Sequence, residues 1–376
     1  MNNIGIFAIN TWAGGGVTSM NNLTQIFKPI FNDIMLVTTL DQNENISIDV
    51  KNADNISYYI INHKGGGNKF SRIINVIWSQ IRISYNLLKI IRKTNAFLFL
   101  GELLVLPMII GRIFGKKTFL SLPSSQLQMN KAIGDSFNRE LEYISRLAFI
   151  FSSVIIVYTP NIIKEWNLEK YEDKVVFAHE QFLDFDKFKN VKEIGERENL
   201  IGYVGRLSPE KGVENFIKSI PVLSKNGMDR KFVIIGDGNL MDKMESYINN
   251  NDLNRNTKLL GSLGHDEIPN YLNELKLLVM PSYTEGLPNI MLEAMACGTP
   301  VLATPVGGIP DIISHGKNGF ILDDNSPQSI ADSVEEILDN PNYSEISENA
   351  EKTVKKYFKY ETVVKRWTDI FSRVDR

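Results

Sequence analysis

Short runs of β-branched and aliphatic residues alternate with stretches of helical period along most of the chain. In the first half the runs fall at Ile4–Ile9, Met35–Thr39, Ser57–Ile61, Ala96–Leu100, Thr118–Leu122 and Val154–Tyr158. A short strand is expected near Lys174, followed by an acidic-aromatic stretch from Phe182 to Phe188. Residues 190–199 are polar and mixed in charge, which suits a linker. The alternation restarts at Leu200–Val204 and continues through Lys231–Ile235, Thr257–Leu260, Leu277–Met280 and Pro300–Ala303, and several helical patterns close the chain. Strands that alternate with helices build parallel sheets from βαβ units. The pattern therefore predicts two doubly wound α/β domains in tandem, 1–190 and 191–357, with a terminal helix over about 358–376. Ligands of such sheets bind at the carboxyl ends of the strands, where loops and helix N-termini gather.

One helical segment stands apart. Phe70, Ile73, Ile74, Ile77, Trp78, Ile81, Tyr85, Leu88 and Ile91 recur at helical spacing, with Arg72, Asn75, Ser79, Arg82, Lys89 and Lys93 largely on the other side. The expected arrangement is a surface helix with its apolar face on the sheet. Its basic flanks would also let it border an anionic membrane.

Composition changes this picture in two ways. The chain has 376 residues, 41 Lys+Arg and 44 Asp+Glu, a formal charge of −3, and 43% hydrophobic and 23% charged residues. Those values fit an ordinary globular protein of two domains and exclude collagen-like or disordered classes. A near-neutral total argues against a generalised nucleic-acid binder. Between Asp54 and Asp135, however, eleven bases (Lys64 to Lys131) meet a single acid, Glu102, a local excess of ten positive charges. The region 64–131 thus suits an anionic partner. The single cysteine, Cys297, excludes a disulfide framework and a cysteine-cluster metal site, and fits a reducing compartment. The N-terminus has no basic leader and reads as a first strand, so a cytoplasmic protein is expected, at or near the inner face of the cell membrane.

Three constellations carry candidate chemistry. After the first strand, Gly14, Gly15 and Gly16 open a helix; glycines there let backbone approach a phosphate, although a plain tight turn explains them equally. Gly205-Arg206-Leu-Ser208-Pro209-Glu210-Lys211-Gly212 places two cations between a strand end and a helix start, with Ser208 and Pro209 as an N-cap pair. Pro281 to Pro300 contains Glu285 before a helix start near Asn289 and Glu293 about one turn inside it. The first N–H groups of that helix are unsatisfied and make an anion pocket. Carboxylates accept hydrogen bonds from sugar hydroxyls. Two of them flanking one such turn suit a nucleotide-sugar, whereas acids that merely offset the helix dipole need not both lie there. Glu102 follows a strand and reads as a helix-start carboxylate.

Gly205-Arg206…Lys211-Gly212, Ile235-Gly236-Asp237-Gly238 and Glu285-Gly-Leu-Pro-Asn289…Glu293-Ala-Met-Ala-Cys-Gly-Thr-Pro-Val together resemble the family-4 retaining glycosyltransferases of GT-B fold. The resemblance is specific over about 200–325 and looser before it. It implies two Rossmann-like domains facing across a cleft, the terminal segment with Trp367 and Phe371 crossing back onto the first domain. Arg206 and Lys211 would hold the donor diphosphate and stabilise the leaving group. Glu285 would contact the donor hexose and Glu293 the ribose. Gly205, Gly238, Gly286, Leu287, Pro288 and Asn289 would line the donor, Leu263 in Gly261-Ser-Leu would border the base, and Gly15 and Gly16 would approach the phosphates. No metal or other cofactor is implied, and the acceptor would be a glycan or lipid-linked. Many relatives carry a His after the strand that here runs Lys117 to Leu122; this chain has none there, and His63, His179, His265 and His315 receive no role. A nucleotide-sugar epimerase or phosphorylase on the same architecture, and a non-enzymatic binding partner, are alternative readings. A nicotinamide dehydrogenase explains the first loop but not Glu285 and Glu293.

Overall fold

A computed structural model describes residues 3–9, 15–40, 55–62, 69–123, 127, 138–224 and 230–374. Residues 10–14 of the glycine-rich loop lie outside them. The chain divides into two compact units, Met1–Phe182 with Tyr360–Arg376, and Leu183–Lys359.

The first unit is a parallel sheet of β1 (Asn3–Ile9), β2 (Asp33–Leu40), β3 (Ile56–Asn62), β4 (Ala96–Leu100), β5 (Lys117–Ser121), β6 (Val154–Val157) and β7 (Val175–Phe177), in the order β3-β2-β1-β4-β5-β6-β7. Its central strands are apolar on both faces because helices cover both. Ile4, Ile6 and Ala8 pack on helix α1 (Gly15–Phe27) and on the C-terminal helix Tyr360–Val374. There Trp367 is fully buried against Phe27, ring centroids 5.1 Å apart, and its indole N–H donates to the His179 carbonyl at 2.9 Å. The terminal helix therefore belongs to the first unit. Gly5 and Phe7, on the opposite face, meet Phe97 and Phe99 beneath α2 (Lys69–Ile90), α3 (Val105–Ile113) and α4 (Asn138–Phe151).

Helix α2 lies the other way round from the expectation. Its buried arc is Ser79, Ile83, Ser84, Leu87 and Ile90, while Ile74, Ile77, Trp78, Ile81, Tyr85 and Leu88 are exposed. The helix carries two apolar arcs. The one with small serines and slim aliphatics lies against its own unit, and the bulkier one faces outward.

The second unit is the sheet β10-β9-β8-β11-β12-β13, all parallel, from β8 (Leu200–Val204), β9 (Lys231–Ile235), β10 (Thr257–Leu259), β11 (Leu277–Met280), β12 (Val301–Ala303) and β13 (Phe320–Ile321). Strand β13 escaped the sequence reading because two residues show no period. Helices α5 (Val213–Ser224), α6 (Ile268–Glu274) and α7 (Asn289–Ala296) follow β8, β10 and β11. Strand order reverses at β8 and β11, so the loops after these two strands diverge at a switch point.

Residues 190–199 are not a linker, and the division falls at Phe182/Leu183 instead of 190/191. The Leu183 N–H bonds the Phe358 carbonyl at 2.9 Å, and the Val191 N–H bonds Asn273 Oδ1 at 2.9 Å. Arg197 is buried and donates to the carbonyls of Lys192 (2.9 Å), Leu272 (3.1 Å), Leu275 (2.9 Å) and Cys297 (2.7 Å), to Thr299 Oγ1 (2.7 Å) and to Asn190 Oδ1 (3.1 Å). The Leu272 and Leu275 carbonyls lie in the last turn of α6 and the Cys297 carbonyl at the end of α7, where a cation opposes the helix dipole. Burial lowers the Arg197 pKa, a cost offset by this saturated set of acceptors. Arg197→Met should strip the donors from several buried carbonyls and cost about 3 kcal/mol or more. Chemical denaturation would show this as an earlier unfolding transition, with Arg197→Lys intermediate; a midpoint unchanged in Arg197→Met would contradict it.

Candidate active site

The loop after β8 is shaped by short backbone contacts. The Gly205 N–H bonds the Ile235 carbonyl at 2.9 Å, the Leu207 N–H bonds Asp237 O at 2.9 Å, and the Tyr203 hydroxyl donates to Arg206 O at 2.8 Å. Burial, with the Glu285 and Glu210 carboxylates nearby, raises the Tyr203 phenol far above its ordinary value, so it stays a neutral donor. Ser208 precedes a single 3₁₀ turn, Pro209–Lys211, and its hydroxyl bonds Glu210 Oε1 at 2.5 Å instead of capping a backbone N–H. Gly212 ends the turn at φ 67°, and a Cβ there would stand 2.0 Å from the Pro281 carbonyl oxygen. Only glycine lets the two loops approach this closely. The Tyr283 N–H then bonds Glu210 O at 2.9 Å, tying the loop after β11 to the loop after β8.

This closeness brings the expected catalytic residues together. Lys211 Nζ lies 2.8 Å from both carboxylate oxygens of Glu285, and the Ser282 hydroxyl donates to Glu285 Oε1 at 2.8 Å. Glu285 is 9% exposed, and these partners offset the cost of burying it. Ser282 is held in turn by Thr304, whose hydroxyl donates to the Ser282 carbonyl at 2.5 Å. Arg206 is half-exposed beside them, its NH1 3.9 Å from Glu210 Oε1.

Helix α7 follows. No side chain caps its N-terminus, where Pro288 is the N-cap, and its first-turn N–H groups have no intrahelical acceptors. Gly286 is half-buried, Leu287 and Pro288 are buried and Asn289 is exposed, so this turn presents backbone more than side chains. Glu293 is the lone charged residue of α7 and is 8% exposed. Its Oε1 meets His265 Nε2 at 2.9 Å. His265 belongs to the loop from Gly261 to Glu267, which also carries Leu263, half-buried. Its Nδ1 lies 3.0 Å from Lys187 Nζ, which reaches Asp266 at 2.6 Å. An ammonium can only donate, so in the neutral ring Nδ1 accepts and the proton sits on Nε2; in either charge state Nε2–H points at Glu293. Gly238 serves packing: a Cβ would stand 2.4 Å from Leu207 O.

Arg206, Lys211, Glu285, Glu293 and the α7 turn thus gather at the switch point of one sheet. Gly15 and Gly16 belong to the other unit, where they open α1. Glu102 is buried and accepts the Leu127 N–H at 3.3 Å. His179 is buried as well, which lowers its pKa to about 4 and keeps it neutral.

Comparison with known proteins decides the kinship of this site. Residues 184–354 match the family model described as Glycosyl transferases group 1. This segment is a group 1 glycosyl transferase domain. An α-D-kanosaminyltransferase of Streptomyces kanamyceticus is 34% identical over 188 residues, 48% of this chain and 49% of the relative. The chain spans about half the length of the first curated relatives it matches. A sucrose-phosphate synthase from Thermosynechococcus elongatus superimposes with a TM-score of 0.82 at 15% identity, covering 100% of this chain and 99% of that one. The Anabaena protein HepE, solved in complex with UDP, has a TM-score of 0.78 at 18% identity over 99% and 100% of the chains. These neighbours establish the GT-B fold for the whole chain.

Within the group 1 domain, sequence reasoning missed His265, whose partner Glu293 is 28 residues away, and Lys187, which reaches His265 from 78 residues away. The Glu293 hydrogen bond raises the His265 pKa. A raised folded value contributes stability that is full below the unfolded value and is lost as pH rises through the folded one. The melting temperature should therefore decline with rising pH just above 6.5, the ordinary value. His265→Ala should remove that component of the slope. Thermal denaturation across this window checks it, and identical pH profiles for the two proteins would refute the coupling.

Proposed function

We propose that the group 1 domain holds a nucleotide-diphospho-sugar and that the protein transfers its sugar, with retained anomeric configuration, to a glycan or lipid-linked acceptor. One observation carries this reading: a nearly buried carboxylate, bidentate to a lysine, precedes a single uncapped helix start, and a second nearly buried carboxylate lies one turn inside that helix. A site for a simple anion has no use for them. A sugar on one side of a diphosphate and a ribose on the other require both.

Arg206, Lys211 and the first-turn N–H groups of α7 take the diphosphate. Glu285 accepts hydrogen bonds from the hexose hydroxyls, and Glu293, aimed by His265, from the ribose. Backbone of Gly205 and of Gly286 to Asn289, with Leu263 beside the base, completes the donor contacts. As the bond from the anomeric carbon to the diphosphate oxygen breaks, negative charge grows on the leaving group. The two cations and the helix dipole are already oriented to meet it, and no metal enters. The acceptor hydroxyl attacks from the face the diphosphate leaves, and its proton passes to a phosphate oxygen, so no protein base is required. The UDP in the HepE complex, and the transferase activity named for the kanosaminyl relative, support this reading. Transfer of this kind serves polysaccharide, glycolipid or glycoprotein glycan assembly on the cytoplasmic side of a membrane.

Glu285→Gln and Arg206→Ala should each lower transfer by at least about 100-fold, the loss typical of one charge-stabilising group. Chelation of divalent metal should leave the rate unchanged, and proton NMR should show a product with the donor's anomeric configuration. Undiminished transfer in both variants would sink the assignment.

A further inference from the structure

Twelve of the sixteen large hydrophobic side chains exposed among the described residues stand on α2, α3 and α4 or at the end of α3. On α2 they form one continuous stripe, Ile74, Ile77, Trp78, Ile81, Tyr85 and Leu88, with Trp78 57% and Tyr85 62% exposed. Helix α3 packs against both its neighbours and ends in Ile113, 75% exposed, and Phe114. Helix α4 adds Tyr143, Leu147 and Ile150 on one arc. Single exposed apolar residues need no explanation, but stripes on three adjacent helices do.

The charges on α2 and α3 are all positive, and α4 carries two of each sign. Exposed Arg82, Lys89, Arg92 and Lys93 lie along and just beyond α2, Arg112 near the end of α3, and Arg139 and Arg146 on α4. Lys89 Nζ sits 4.2 Å from the centroid of the Tyr85 ring, and of the described acids here Glu142 is paired with Arg146, Glu140 is half-buried in the first turn of α4 and Glu102 is buried. No helix of the described residues is long and apolar enough to cross a membrane. An apolar stripe with Trp and Tyr, rimmed by cations on a helix too polar to span, matches the chemistry of a bilayer interface. A second copy of this face would set like charges against each other.

We infer that the outer face of α2, α3 and α4 is a docking surface for an anionic phospholipid bilayer, with α2 lying in the interface. Ile77, Ile81 and Leu88 enter the acyl boundary, Trp78 and Tyr85 sit at headgroup level, and the cations meet lipid phosphates. The inference deepens the proposed function by naming where a lipid-linked acceptor is met, but vesicle binding needs no substrate and is scored separately from donor binding.

The test is co-sedimentation of the full chain with phosphatidylcholine vesicles, with and without phosphatidylglycerol, at low and raised salt. Binding should require phosphatidylglycerol, weaken with salt, and blue-shift the tryptophan emission; Trp78→Phe should abolish the shift. Arg82→Gln and Lys89→Gln should each weaken binding about fivefold, and Ile77→Ser with Ile81→Ser tenfold or more. All variants should melt as the parent does and bind nucleoside diphosphate equally. Equal binding to neutral vesicles, no binding to either, or a dimer that Ile77→Ser with Ile81→Ser converts to monomer would each overturn the proposal. Loss of nucleotide binding with vesicle binding intact would instead count against the proposed function alone.

Discussion

The ion pair between Lys211 and Glu285 is the contact on which the candidate site depends. It joins two loops that leave the sheet at the point where strand order reverses, and it does so with both carboxylate oxygens engaged at 2.8 Å. An isolated carboxylate so nearly buried would carry a large desolvation cost. The lysine makes that position tenable and fixes how the acid points. Everything nearby serves the approach of these loops: the left-handed Gly212 against Pro281, the Tyr283 to Glu210 backbone bond, and the Ser282 and Thr304 hydroxyls behind the acid.

Helix α7 is held at both ends by different chemistry. Its C-terminus is closed by Arg197, a buried cation that bonds carbonyls and hydroxyls where the helix dipole is negative. Its N-terminus is left uncapped, which leaves the N–H groups for a ligand. The Lys187–His265–Glu293 chain then sets the second acid from a neighbouring loop. One end of this eight-residue helix is thus closed by side chains, and the other is the end to which the proposed donor diphosphate is assigned.

The strands were legible because parallel strands buried on both faces are short continuous apolar runs. Ala96–Leu100, Leu200–Val204, Lys231–Ile235 and Leu277–Met280 coincide with the sequence reading. Arg206, Lys211, Glu285 and Glu293 were legible from their places relative to strand ends and helix starts. Arg197 and His265 were not, because their partners Thr299 and Glu293 lie 102 and 28 residues away, and a polar stretch carrying a buried arginine reads as a linker. The face of α2 was read backwards for a different reason. Period reveals that a helix has an apolar stripe, but not which of two stripes the sheet selects. The charge excess over 64–131 falls on the same helices whose bulky apolar residues are exposed.

The proposed donor site requires that this switch point recognise a diphosphate flanked by sugars. Calorimetric titration of the chain with uridine, guanosine, adenosine and thymidine diphosphates, each against its monophosphate, tests it most directly. Charge-assisted hydrogen bonds contribute about 1.5–3 kcal/mol each, so one further phosphate held by Arg206 and Lys211 should tighten binding about tenfold or more for the preferred base. Equal affinity for diphosphate and monophosphate across the panel, or no binding of either, would contradict the account.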